Sequence, residues 1–282
     1  MRATRRGFLR TFEKEFPVRT TAVRRTALAA SAAALALLVT ACGGSGDDDK
    51  AGDSKGKGDS GASASASAEP AAKALTAAEL KKAALVSGDV ESGEVTDQVS
   101  PKDFVKQDEV EADDKACAAL AYVQSGTVVG KPSATVQWMW VGEPDTSAAA
   151  SGDPEELLDA AFDVTSLRTT LAAYEDGGAE QVMEELGKST DACAGGYATT
   201  VQGEKVRTVK LAETKAPEGA DEALALTLTI DADGTKAPLK AVVARKGSTI
   251  AYFPAVNLAS ITSGTDFDYP ADVVQAQLTK LG

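Results

Sequence analysis

Histidine does not occur anywhere in the 282 residues. Its absence removes Ser-His-Asp and Cys-His catalysis, imidazole-bound zinc, and the one side chain whose ordinary pKa lies near neutrality. Cysteine is scarce, at three residues, and aromatic side chains make up only 5% of the chain, so large stacking surfaces have few places to form. Basic residues are outnumbered, 29 Lys and Arg against 42 Asp and Glu. Neutralising phosphates takes clustered Lys and Arg, so nucleic acid is not an expected partner. No uncharged apolar run reaches the roughly 20 residues that cross a bilayer as a helix. What remains is 43% apolar and 25% charged, the make-up of a folded domain, and the length allows one or two of them.

The few basic residues are unevenly spread. Residues 1–41 hold seven arginines and Lys14 against Glu13 and Glu15. The other 241 residues hold 21 basic and 40 acidic side chains, a balance of −19. After Arg24 and Arg25 comes an uncharged stretch from Thr26 to Ala41, rich in Ala and Leu. A basic flank, a short apolar core and small residues at its end are the parts of a secretory signal peptide, assigned here to residues 1–41. Val39-Thr40-Ala41-Cys42 resembles the lipobox of bacterial lipoproteins. That resemblance implies diacylglyceryl transfer to the Cys42 sulfur and cleavage before it, leaving a lipid-anchored protein on the extracytoplasmic face of the cell membrane. Thr4-Arg5-Arg6-Gly7-Phe8-Leu9-Arg10 resembles a twin-arginine export motif, although Glu13, Glu15 and Pro17 separate it from the apolar core, so the export route stays open.

Residues 42–74 follow as a tether of Gly, Ser, Asp, Ala and Lys. A segment without large apolar residues buries too little surface to offset its ordering entropy, and disorder is expected. As a flexible coil it reaches roughly 30 Å.

Residues 75–282 read as a single α+β domain, an antiparallel meander with helices packed on it. Thr76-Ala77-Ala78-Glu79 forms a capping box that opens a helix to about Leu85. Further helices are expected over Asp113 to Tyr122, Glu155 to Phe162, from the Asp176-Gly177-Gly178 break to Cys193, and from Pro270 to Leu281. Ala134 to Val141 alternates as a strand and places Val136, Trp138 and Trp140 on one side. Ser166 to Tyr174 reads as another strand. Tyr197 to Val201, Lys205 to Glu213, Glu222 to Ile230, Leu239 to Lys246 and Thr249 to Phe253 then follow as five strands with short turns, which implies consecutive antiparallel pairing. With Cys42 taken by lipid, Cys117 and Cys193 are left in an oxidising compartment, where one disulfide between them is the economical reading.

The order is a Cys-bearing segment, an aromatic strand, a strand-turn-helix ending in Cys, and a hairpin array. The stretches that carry a resemblance are Leu171 to Ala179, the helix to Cys193, Gly219 to Leu224, and Ala244 to Ser248. In these the chain resembles the extracytoplasmic sensor domains of mycobacterial serine/threonine kinases and related actinobacterial lipoproteins. The resemblance implies an antiparallel sheet with packed helices and a ligand groove. Those domains tend to carry two disulfides, whereas this chain can supply one.

Catalytic patterns fail on inspection. Gly126 to Pro132 has three residues between its glycines where a phosphate loop needs four, and Pro132 where it needs a hydroxyl. Asp231-Ala232-Asp233-Gly234 is half of a calcium loop and reads as a hairpin turn. Ser54-Lys55-Gly56-Lys57 has the Ser-x-x-Lys spacing of acyl-serine enzymes but falls in the tether. Asp108, Glu109, Glu111, Asp113, Asp114, Glu184 and Glu185 sit in polar runs, where solvation explains them. Trp138 and Trp140 either line an apolar groove or belong to the core. No catalytic, metal or cofactor residue is therefore assigned. The expectation is a lipid-anchored binding or sensor-like module whose partner is a small ligand, a lipid or an envelope protein. A structural or chaperone-like lipoprotein is a second reading, and a carboxylate- or Ser/Lys-based envelope hydrolase a third.

Overall fold

Strict alternation of Leu224, Leu226, Leu228 and Ile230 with Ala225, Thr227 and Thr229 sorts large and small side chains onto opposite faces of a strand. That sorting organises the whole molecule. The computed structural model describes residues 73–100, 104–144, 157, 160–232 and 234–282, all within one compact unit. The segments read as signal peptide, lipidated Cys42 and tether, up to residue 72, lie outside the described residues.

The fold is α+β. Nine strands form one antiparallel sheet: β1 (Glu94–Thr96), β2 (Val110–Ala112), β3 (Ala134–Val141), β4 (Thr165–Ala173), β5 (Tyr197–Val201), β6 (Glu204–Thr214), β7 (Glu222–Ala232), β8 (Thr235–Lys246) and β9 (Thr249–Asn257). Their spatial order is β1-β3-β4-β9-β8-β7-β6-β5-β2, so β5 to β9 make the expected meander. β1 and β2, only three residues apiece, sit at opposite edges of the sheet. Five α-helices accompany the sheet among the described residues: α1 (Ala77–Ala83), α2 (Ala118–Gln124), α3 (Gly178–Ala192), α4 (Leu258–Ser263) and α5 (Ala271–Leu281). Leu157 and Ala160 to Phe162 are also helical, and the rest of the helix expected over Glu155 to Phe162 lies outside the described residues. No described helix is long and apolar enough to cross a membrane.

Helices cover both faces of the sheet. On one face α2 and α3 bring Leu120, Val123, Val182 and Leu186 against Leu226, Leu228, Val243, Ile250 and Tyr252. On the other, α1 and α5 bring Leu80, Val273, Val274 and Leu278 against Trp138, Leu167, Leu171, Val242 and Phe253. Strand β9, between β4 and β8, is therefore buried on both sides. Thr76 and Glu79 make the expected capping box, with Glu79 Oε2 accepting from the Thr76 backbone at 2.8 Å.

The Cys117–Cys193 disulfide is formed, with Cα atoms 5.8 Å apart. It joins the turn before α2 to the C-cap of α3. The helix expected from Asp113 begins later. Residues 115–117 form a tight 3-10 turn because Asp114 caps it, its carboxylate accepting from the Ala116 amide at 2.9 Å. Strand β8 begins four residues before the expected Leu239. Its Pro238 lies past the last residue paired with β9, Lys240, where a missing N–H costs no bond to that neighbour.

Candidate functional site

Two tryptophans on one strand face were candidates for a ligand groove. Trp138 and Trp140 are 1% and 5% exposed and pack in the core between the sheet, α1 and α5. Trp140 Nε1 donates to the Ser92 carbonyl at 2.9 Å. Gly93 follows at φ +76°, and a Cβ there would fall 2.5 Å from the same nitrogen. The backbone thus closes over the indole. A ligand could reach either ring only by displacing protein, and neither ring borders the grooves described next.

The main groove lies on the same face, further along the sheet. Helix α5 packs on this face through Val273, Val274 and Leu278, and part of β7 borders an open groove beside it. Ala225 and Val242 are buried in its floor, flanked by Thr227 and Lys240, with the ring of Tyr269 and the α5 residues Ala271, Val274 and Gln275 as one wall. The β6–β7 connection, Lys215 to Glu218, forms the other wall. The half-open groove holds about 570 Å³, within the roughly 300–1,000 Å³ of small-molecule sites. It exists because small residues stand at Ala216, Ala225 and Ala271, where Leu171 and Phe253 fill the equivalent layer nearer the centre.

Both walls are held by polar side chains. Arg245, 15% exposed, pairs through Nε with Glu222 at 2.9 Å and through Nη1 with Asp221 and Glu180 at 3.4 Å. Asp221 also accepts from the Gly247 amide at 2.7 Å, and Lys246 Nζ donates to the Gly219 carbonyl at 2.9 Å. These bonds fix the β6–β7 wall to the β8–β9 turn and to the first turn of α3. On the α5 side the Tyr269 hydroxyl donates to the Phe253 carbonyl at 2.9 Å, and burial pushes that phenol well above its ordinary pKa.

Lys240 is the charged group at the groove floor. Its ammonium contacts Asp266 at 2.9 Å, donates to the Phe267 carbonyl and lies 4.9 Å from the Phe267 ring centroid. The lysine side chain is 17% exposed and the aspartate 77%. Lys240 holds the Asp266 carboxyl below the usual carboxylate range.

Three further cavities border the described residues. One of about 400 Å³ is lined by Glu143, Asp163, Asp266 and Asp268, around a buried Asn257 that donates to Asp163 and Thr165. Another, of about 510 Å³, lies where residue 73 enters the domain beside Glu175 and Asp176. The smallest, about 220 Å³, lies between Asp113 and Arg207. Among the described residues, no three Cys, Asp or Glu side chains converge as metal ligands would. Asp108, Glu109, Glu111, Asp113, Asp114, Glu184 and Glu185 are all exposed. Asp231 accepts from the Gly234 amide at 3.0 Å, which is the turn reading of that motif.

Reading by pattern missed Lys240, Tyr269 and the groove floor. Ala225 and Thr227 have the small and polar character of a solvent face, which is how a half-open groove floor also looks.

No protein-family model matches the chain, and no curated protein matches it. Among solved structures, the fold is similar to the extracellular domain of PknH from Mycobacterium tuberculosis, at 10% identity and a TM-score of 0.44. The alignment covers 74% of this chain and 97% of that one.

Proposed function

We propose that this protein is an exported, lipid-anchored binding module of the cell envelope, and that its ligand occupies the groove between α5 and the β6–β7 wall. Export and anchoring rest on the signal peptide and lipobox ending at Cys42, and the disulfide accords with an oxidising compartment. The observation that carries the binding role is the groove itself: an apolar floor, a volume suited to a small molecule, and a few polar groups at its edge. No catalytic step is assigned to it. Tyr269 and Lys240 are both engaged with protein groups, the Phe253 carbonyl and the Asp266 carboxylate.

The test uses residues 42–282 carrying Cys42→Ser, so that no attached acyl chain competes, after circular dichroism has established folding. The protein is equilibrated with an organic extract of cell envelopes, and bound material is read by native mass spectrometry. One small molecule per chain, lost in the groove-filling variant Ala225→Trp, is the expected result. Equal retention by both proteins, or none by either, would overturn the reading.

A further inference from the structure

The four cavities differ in charge. Three have as many acidic as basic side chains in their lining or more, and the Glu143–Asp268 cavity is lined by four carboxylates, of which Asp266 is paired with Lys240. The groove is the exception, with Lys215 and Lys240 against Glu218, in a domain where acidic residues dominate. Its cations are also placed unequally. Lys215 is an exposed rim residue, whereas Lys240 borders the apolar floor with its side chain 17% exposed and its ammonium held by Asp266 and the Phe267 carbonyl. The carboxylate paired with it, Asp266, is mostly in water. A half-buried cation with a loosely held partner favours exchange: a carboxylate entering along the groove can take the place of Asp266 at like charge and like geometry, and Asp266 returns to solvent at little cost. The apolar floor of Ala225, Val242 and Val274 then has only an aliphatic body to cover.

Access points the same way. The β6–β7 wall lies at the end of the sheet where the chain enters the domain. There Lys246 Nζ bonds the Gly219 carbonyl, and Ser248 Oγ, two residues on, bonds the Lys73 carbonyl at 3.2 Å. The groove wall and the attachment point of the tether therefore share one pole of the domain.

We infer that the groove accepts a single-chain amphiphile with a carboxylate head, its head on Lys240 in place of Asp266 and its chain along Ala225, Val242 and Val274. This rests on the groove reading above and adds the class of ligand.

The experiment is calorimetric titration of residues 42–282 with Cys42→Ser, using dodecanoate, dodecanol and dodecyl phosphate below their aggregation limits. The wild-type groove is expected to bind one dodecanoate per chain at least tenfold more tightly than dodecanol. Lys240→Met keeps the aliphatic stem and removes the ammonium, and should abolish that difference. Asp266→Asn, at a solvent-facing position, should tighten dodecanoate severalfold and leave dodecanol unchanged, a change that a merely structural role for the pair would not produce. Equal binding of dodecanoate and dodecanol, insensitive to Lys240→Met but lost in Ala225→Trp, would overturn the head-group assignment and leave the groove standing. Preference for dodecyl phosphate would overturn the carboxylate assignment. Absence of binding for all three probes, with Ala225→Trp indistinguishable from wild type, would overturn the groove reading with it.

Discussion

Cys117 and Cys193 are joined across the face of the sheet that carries α2 and α3, so the crosslink bears on the layer opposite the groove. Closing a loop with a sequence separation of 76 residues contributes about 4.5 kcal/mol on the chain-entropy account. Replacing both cysteines with alanine is expected to lower unfolding free energy by about 2 to 4 kcal/mol in denaturant titrations. Groove affinity should change less than twofold, because Cys117 and Cys193 lie on the opposite face and border none of the groove. A large loss of affinity with little loss of stability would contradict this separation of layers.

Tyr174 and Tyr252 form a second buried relationship on that face. Tyr174 donates to the Val129 carbonyl at 2.7 Å, so Tyr252 supplies the proton for the 2.8 Å bond between the hydroxyls, and it accepts in turn from the Val129 amide at 3.2 Å. Tyr252→Phe strands the Val129 N–H and is expected to cost about 1 to 3 kcal/mol. Adding Tyr174→Phe should cost less than the sum of the single changes, because both act on one network.

The same burial sets an alkaline limit. Burial raises the pKa of Tyr174, Tyr197, Tyr252 and Tyr269 above the ordinary phenol value. With folded pKa values above the unfolded ones, stability is fully present below about pH 10 and is lost as pH climbs from there towards the folded values. Phenolate absorbance from these four residues should appear together with unfolding. Their smooth titration in a still-folded protein would contradict the packing.

An acid-side test lies at Lys280 and Asp89. Lys280 Nζ meets Asp89 at 2.5 Å, linking the end of α5 to the turn after α1, and this bond and the Val86 amide hold the Asp89 carboxyl below its usual range. A depressed carboxylate contributes stability above its unfolded pKa, near 3.9, and that stability is lost as pH falls through the lower folded value. Lys280→Met should therefore reduce stability by up to about 1 kcal/mol at neutral pH, since the pair is partly exposed. Its melting temperature should fall less than that of the wild type on acidification.

At the membrane end, Cys42→Ala should leave the chain unprocessed at that bond and without lipid, as read by mass spectrometry of the membrane fraction. Wild-type protein lacking acyl chains would remove the basis for the anchor.

Much of this architecture was legible because the residues that form it obey simple periods. The α3 stripe read as Ala179, Val182, Met183 and Leu186, of which Met183 is only half-buried, and the alternation in β7 stated element and face together. Cys117 and Cys193, the two cysteines besides Cys42, pointed to the crosslink. By contrast β1 and β2, at three residues each, are too short for any period to register, and α4 has only six. Their existence depends on neighbours: β2 pairs with β5 through Val110 and Val201, and Asn257 caps α4 by accepting from the Ser260 amide. The groove escaped for a similar reason. It is a gap between α5 and a loop held by Arg245, and a gap is a property of spacing between elements that no single stretch of residues encodes.

The most direct test of the account is amide chemical-shift mapping of residues 42–282 with Cys42→Ser during titration with dodecanoate. The account predicts saturable shifts that cluster at Ala225, Thr227, Lys240, Val242, Val274 and Gln275, with α2 and α3 unmoved. Shifts centred on another face, or none at concentrations where the probe stays monomeric, would contradict it.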